Sequence, residues 1–450
     1  MRPLKHELLW AGVVYFLVLL GIALWVRDIP NQPDAFITIQ QLIKTRGWSD
    51  SVYFATAAID IAENGWISSA NDWIFNLWPP GFVLLEALGL KVLGHEAPVI
   101  FVLQLLATVL YSIVLALLYD ILGKCVKTKV AFALPLLIFA FPVSRVFLLE
   151  PTGISLGESF AVGFFLLGIL LAFRSVARSS LRYAVYAGVF LALSAYFRSQ
   201  FELILLAMTG WGVLLIMAIR LTRLRKSIEP QLAKSAVKTI AVMLLVAHAA
   251  TVPWRTYHWI YQGNPSWVQT ANLVFENSVK TSAQLAGSAG FIVAGGGNLV
   301  CRIDPSTCGD TANAKKLFIK TFIAHPIEWY ALKFDVIGQY WFSSVNFWVN
   351  SPSEPALIDI VANGLLLNAL IALAALLLTR RVRSHGLWIL LMWFNLSIFS
   401  AYMLIFTMVH FEVRYFYFPK IVGIVMLIIV GSLYFRPIQK NDEICVKDSI

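Results

Sequence analysis

Long apolar runs recur along this chain, and they limit what it can fold into more than any other feature does. They cover Leu8–Val26, Val99–Tyr119, Val130–Leu149, Leu156–Phe173, Leu181–Phe197, Leu203–Ile219, Ala236–Trp254, Leu357–Leu378, Leu387–Val409 and Phe416–Phe435. A helix of about 20 residues crosses the roughly 30 Å hydrocarbon core of a bilayer. Inside that core only a helix or a closed barrel satisfies its own backbone. Unbroken runs of this length predict helices, so the expected fold is an all-α polytopic membrane bundle of about ten or eleven spans. Composition agrees: 59% of the 450 residues are hydrophobic and 13% charged, against about 25% charged in soluble domains. The stretch Pro79–Leu93 is apolar but short, opens with two prolines and contains Glu86 and Lys91. It reads as a short re-entrant or surface-lying helix, with an eleventh crossing as the alternative.

Orientation follows from the short loops, because Lys and Arg collect on the cytoplasmic side. With the N-terminus inside, alternation of ten spans places Lys124, Lys127 and Lys129, the loop Arg174–Arg182, the loop Arg220–Lys226 and Arg380–Arg383 in the cytoplasm. The net charge of +10 is then a topogenic signal and not a nucleic-acid footprint, since the basic residues sit at span ends and line no single groove. No small-residue cleavage site follows the first run, which is therefore expected to be a retained span. The expectation is a multi-pass protein of the bacterial inner membrane with both termini cytoplasmic. Residues 1–435 form one transmembrane domain, and Arg436–Ile450 a short cytoplasmic tail with no room for a further soluble module.

Two long segments, 27–98 and 255–356, fall on the external side. In the first, the sequence from Ser49 to Gly65 predicts a helix with an apolar face, Ser49 as its cap, Asp50 in its first turn and a glycine stop. Trp66, Trp73 and Trp78 follow. Such rings stack on sugar faces but also anchor chains at the membrane interface. In the second segment Gly287, Gly290 and Gly295–Gly297 mark irregular chain. Cys301 and Cys308 lie close enough for a disulfide on an oxidising side. Metal binding is the rival, but two thiols fill only half a tetrahedral site. The run Trp329–Phe342 reads as an interfacial aromatic helix.

The sequence carries no phosphate-cradling glycine loop, dinucleotide-binding glycine pattern or metalloprotease helix, so nucleotide-driven chemistry has no support. Charged residues instead gather at the external span ends. Asp50 is either a favourable first-turn acid or a base. Glu158 lies just inside a span, where a carboxylate needs a partner or a wet cavity; it is either a structural partner for Arg145 or Arg198 or part of a site. Arg198, Arg255 and Arg414 oppose the usual charge bias and either snorkel or hold an anion. Lys420 sits deeper, after Pro419. Carboxylates and cations on one rim suit a phosphorylated lipid, whose phosphate needs cationic donors while a hydroxyl nucleophile needs a carboxylate base.

The order Asp50-Ser51-Val52-Tyr53, Trp78-Pro79-Pro80-Gly81, Gly157-Glu158-Ser159, Arg198, Pro253-Trp254-Arg255 and Glu412-Val413-Arg414-Tyr415 resembles the GT-C glycosyltransferase superfamily. The nearest likeness is to bacterial polyprenyl-phosphate-sugar transferases related to protein O-mannosyltransferases and the aminoarabinose transferase of lipid A. It spans almost the whole chain. The resemblance implies a GT-C-like bundle with juxtamembrane helices in the first external loop and inverting transfer from a polyprenyl-phosphate-linked sugar on the periplasmic face. The acceptor is a cell-envelope glycan, lipid or protein, with glycan or lipid favoured by the short tail. It implies Asp50 as the catalytic acid residue, Glu158 as the second acidic residue, and Arg414 as the arginine at the mouth of the last span. Arg255 departs from the family's spacing, because here arginine follows tryptophan directly.

On that reading Asp50 deprotonates the acceptor, while Arg414, Lys420 and Arg198 or Arg255 hold the donor phosphate. Glu158 holds acceptor, sugar or a cation, and Tyr53 and Trp78 line the site. Asp60 and Glu63 are weaker alternatives to Asp50. No cofactor is required. Two acids could bind a divalent ion, but no histidine accompanies Asp50. A flippase or transporter of a lipid-linked sugar is the competing function.

Overall fold

The computed structural model describes residues 5–27, 37–46, 50–149, 157–221, 230–263, 271–281, 284, 298–343, 356–379, 382, 387–408 and 413–435. Among them all regular structure is helical. In chain order the helices are α1 (Lys5–Arg27), α2 (Ile39–Arg46), α3 (Asp50–Asn64), α4 (Trp73–Leu77), α5 (Gly81–Leu93), α6 (Val99–Leu122), α7 (Thr128–Ala133), α8 (Pro142–Leu149), α9 (Glu158–Arg178) and α10 (Leu181–Phe197). They continue as α11 (Gln200–Leu221), α12 (Pro230–Gln262), α13 (Ala271–Val279), α14 (Leu299–Ile303), α15 (Ala314–Ala324), α16 (Pro326–Phe342), α17 (Leu357–Leu377), α18 (Trp388–Met408) and α19 (Tyr417–Phe435). Ser49, the glycines at 287–297, Arg380, Arg381, Arg383, Glu412 and the tail 436–450 lie outside the described residues.

Eight of these helices are long and apolar enough to cross a membrane: α1, α6, α9, α11, α12, α17, α18 and α19. That is fewer than the ten expected, for two local reasons. The helix α10 is apolar but has only 17 residues. The run Val130–Leu149 is not one helix: α7 passes into a 3₁₀ helix over Leu134–Ala140, the chain extends at Phe141, and Pro142 starts α8. Pro135 and Pro142 cause the interruption, because proline lacks an N–H and disfavours helical geometry in the residue before it.

The packing explains which helices can be apolar all round. The buried positions of α9 and α19 surround nearly their whole circumference, as a helix at the centre of a bundle requires. The pairs α9–α10, α10–α12, α1–α6, α11–α18 and α17–α19 make the main contacts around them. Large apolar side chains of α1 (Leu9, Trp10, Leu17, Trp25) and α17 (Leu357, Leu365, Ile371) stay exposed, which suits lipid as the surrounding solvent. At the C-terminal end of α9, Asp120 of α6 takes Arg174 at 3.3 Å and Arg178 at 3.8 Å, and Arg178 also donates to the Tyr183 hydroxyl. This cluster pins three helices at one end of the bundle.

Two small layers cover the other end, where α9 begins. In the first, α3 packs on α2 and α5, and it stops at Gly65, whose φ of +79° suits a residue without a Cβ. Asp60 accepts from the Asn71 amide at 2.7 Å, the Ser68 backbone at 3.2 Å and the Ser68 hydroxyl. Desolvation raises its carboxyl pKa, but these hydrogen bonds outweigh it and hold the group below the ordinary value. Asp60 therefore anchors the loop after α3.

The second layer has its own core of Val279, Leu299, Val300, Ala314, Phe318 and Trp329. Cys301 and Cys308 are joined by a disulfide with their Cα atoms 4.8 Å apart. The expected interfacial run at 329–342 is helical, within α16. Trp329 donates to the carbonyl of Thr407 at 3.0 Å, which ties this layer to the end of α18.

Candidate functional site

Asp50 opens α3 and is half-buried. Asp50, Tyr53 and Phe54 stand at i, i+3 and i+4, so they share one helix face. That face meets the aromatic residues that follow. Tyr53 packs edge-on to Trp73 at 4.9 Å, and Phe54 contacts Trp78 at 5.1 Å and Phe82 at 6.1 Å. Trp78 ends α4, with its N–H on the carbonyl of Ile74, and Gly81 begins α5 two prolines later.

The turn Trp78-Pro79-Pro80-Gly81 is the hinge of the arrangement. A Cβ at Gly81 would lie 2.6 Å from the carbonyl oxygen of Tyr196. Phe82 presses on Gly157, where an added Cβ would lie 2.8 Å from the phenylalanine and φ is +82°. One turn thus docks at once against the end of α10 and the start of α9. Arg198 directly follows the end of α10 and Glu158 opens α9.

Glu158 and Arg198 are hydrogen-bonded as an ion pair, with side chains 1% and 9% exposed. Removing one partner of a buried pair leaves an uncompensated charge and costs about 3–5 kcal/mol. The second terminal nitrogen of Arg198, Nη1, is buried and has no hydrogen-bond partner among the described residues. Tyr402 of α18 and Tyr417 of α19 both lie within electrostatic reach of Glu158.

Lys420 is also brought to this end, but it faces α16 and α17. Its ammonium donates to the carbonyl of Trp341 and to Asn363 Oδ1, each at 2.7 Å, and lies 4.8 Å from the centre of the Trp341 ring. Asp359, one turn before Asn363, supplies the nearby negative charge. Tyr417 is within electrostatic reach of both Glu158 and Asp359, so the two polar clusters adjoin at the mouth of α19. Arg414 belongs to a short 3₁₀ turn, Val413–Phe416, at that mouth; its side chain is outside the described residues.

Arg255 forms a third cluster. It lies 3.9 Å from Glu202 of α11 and 3.5 Å from His248 Nδ1. The other ring nitrogen of His248 is 2.8 Å from the Thr209 hydroxyl, which donates to the Leu205 carbonyl. Thr209 therefore accepts from His248 Nε2–H, and Nδ1 is left as an acceptor facing the guanidinium. A neutral imidazole and a carboxylate together hold Arg255 in place. On α5, one turn past Phe82, Glu86 is fully buried, and one of its carboxylate oxygens has no partner among the described residues. Burial pushes its carboxyl up to about 8, so it is mostly protonated at neutral pH and is no base there.

Sequence reasoning passed over Glu202, His248, Asp359, Asn363 and Tyr402. Glu202 had a readable signal, a carboxylate inside an apolar span four residues after Arg198. Asp359 and Asn363 had one too, as polar residues at i and i+4 of a span. Tyr402 had none, because a tyrosine in an apolar helix looks like core. Among the described residues no group of three or more His, Cys, Asp or Glu could hold a metal ion. No protein-family model, curated protein or solved structure matches the chain; what stands on the structure is an all-α, multi-spanning membrane protein with three polar clusters at one end of its bundle.

Proposed function

We propose that this chain is an inverting glycosyltransferase of GT-C type. It moves a sugar from a polyprenyl-phosphate carrier to a cell-envelope glycan or lipid at the periplasmic face of a bacterial inner membrane. One observation supports this most. The segment Trp78–Phe82 packs both on the helix carrying Asp50 and on the ends of the two helices beside the buried Glu158–Arg198 pair. A bundle needs no such device merely to stay folded, since apolar packing is as stabilising as a buried ion pair.

In the proposed reaction Asp50 takes the proton of the acceptor hydroxyl as its oxygen bonds to the anomeric carbon. The bond from that carbon to the phosphate oxygen breaks on the opposite face, which inverts the configuration, and the lipid phosphate leaves with the bonding electrons. Lys420 uses two of its three donors on Trp341 and Asn363; the third, with Arg414, meets the phosphate. A phosphate leaving group needs no general acid, so one carboxylate base suffices. All the energy comes from the donor, and no nucleotide site is needed.

The test is transfer from radiolabelled polyprenyl-phosphate sugars by purified protein supplied with membrane extract. Wild type labels an extractable acceptor, and a folded Asp50→Asn variant loses about 100-fold or more in rate, the usual contribution of a positioned base. Donor binding without any transfer, equal in both proteins, would favour translocation of a lipid-linked sugar and remove Asp50 from the chemistry.

A further inference from the structure

Two buried donors near Glu158 lack a partner among the described residues: Arg198 Nη1 and the hydroxyl of Tyr402. Leaving such a group unsatisfied costs about 1–3 kcal/mol, so each is expected to meet an atom from outside the chain. Packing places the two in the same part of the bundle. Tyr402 stacks on Phe418 at 5.3 Å and 9°. Phe418 in turn meets Phe201, three residues past Arg198, at 5.0 Å, and Phe165, two turns along α9 from Glu158, at 5.2 Å. Tyr402 is also within electrostatic reach of both members of the pair. It is 4% exposed.

We infer that Arg198, Glu158 and Tyr402 form a subsite for hydroxyl groups of the donor sugar, and not for its phosphate. Charge decides between the two. Glu158 cancels the charge of Arg198, so a phosphate placed here would be desolvated with no net attraction and with a carboxylate beside it. A sugar hydroxyl carries one donor and two acceptor lone pairs and bears no charge to desolvate. Neighbouring hydroxyls accept from Arg198 Nη1 and from Tyr402, and their protons turn to the carboxylate of Glu158. Recognition of this kind rejects analogues lacking the hydroxyl, because the buried groups are then left unpaired.

The inference rests on the glycosyl-transfer reading for the identity of the occupant, and its test separates the two. Binding is measured in detergent for undecaprenyl phosphate, bare and carrying glucose, galactose, mannose or 4-aminoarabinose, on wild type, Tyr402→Phe and Arg198→Lys. Wild type is expected to bind one sugar-bearing lipid more tightly than the bare lipid. Tyr402→Phe then loses about 3- to 10-fold toward that lipid, the worth of one neutral hydrogen bond, with its affinity for bare undecaprenyl phosphate unchanged. Arg198→Lys keeps the charge beside Glu158, removes Nη1 and loses the same sugar-dependent increment. Equal losses toward both lipids, or no loss in Tyr402→Phe while wild type still discriminates, overturn the subsite and leave the transferase reading standing. A wild type that gains nothing from any sugar overturns both.

Discussion

Glu158→Met, Arg198→Met and the double variant test how the bundle holds its one hydrogen-bonded buried ion pair among the described residues. Each single change strands a charge whose side chain is at least nine-tenths buried, and each is expected to cost about 3–5 kcal/mol. If the two effects were independent, the double variant would lose about 6–10 kcal/mol, the sum of the singles. With both charges gone nothing is stranded, and two methionines fill the space, so the double variant is expected within about 2 kcal/mol of wild type or more stable than it. The coupling is then several kcal/mol. The control is the exposed pair His325–Glu328, 46% and 64% exposed, whose removal changes stability by about 1 kcal/mol or less. Unfolding of purified protein in mixed micelles, titrated with SDS and followed by helical circular dichroism, reads all four stabilities. Transfer activity should vanish in all three site variants, the stable double variant included. Single changes that cost under about 1 kcal/mol and simply add would refute the reasoning, because they would mean that water already reaches the pair.

Gly157→Ala meets two obstacles, a φ of +82° and a Cβ placed 2.8 Å from Phe82. It is expected to lose about 2–4 kcal/mol by the same titration, from left-handed backbone strain and overpacking together, whereas Gly210→Ala, with open space around it, should not. Reducing Cys301–Cys308, which lie seven positions apart, or replacing both with serine, should destabilise the small layer around Trp329 by about 2.5 kcal/mol on the chain-entropy account. The readout is faster limited proteolysis there, with the spans intact. Lys333, on α16 outside the spans, is buried, and that burial pulls its ammonium down to about 7 from an ordinary 10.5. Between those values the unfolded chain holds the extra proton. Stability should therefore rise with pH across that window, by up to about 1.4 kcal/mol per unit, and be lowest below about 7; Lys333→Met should flatten the profile.

The membrane architecture was legible because hydrophobic run length answers to one constraint, the thickness of the hydrocarbon core. The helix from Asp50 to its stop at Gly65 was legible for the same kind of reason, a cap-to-stop signal within one segment. The third expected span failed as a single helix because two prolines act on backbone geometry that a count of apolar residues ignores. Glu158 and Arg198 were each singled out by the cost of a charge near a span end. A structural pairing of Glu158 with Arg145 or Arg198 was one open reading, and the bond forms with Arg198 across a sequence separation of 40. Lys420 was picked for the same cost, but its partners Trp341 and Asn363 come from two other helices, and no local pattern points across such distances. Tyr402 is the extreme case. Its proposed role rests on a hydroxyl without a partner among the described residues, which becomes visible only when the neighbours are in place.

The interruption of the third run bears on how the chain assembles. Where α7 gives way to the 3₁₀ turn, the carbonyl of Phe132 would look to residue 135 for an N–H, and that residue is proline. The hydroxyl of Tyr15 donates to this carbonyl at 2.8 Å, with its ring stacked on that of Phe132 at 4.9 Å. The helix α1 therefore carries a donor for this carbonyl of the broken segment. The bond gives the polar tip of Tyr15 and a carbonyl of the broken segment a partner away from water. Each makes the other tolerable in hydrocarbon, so α1 contributes a polar contact as well as apolar surface to the bundle.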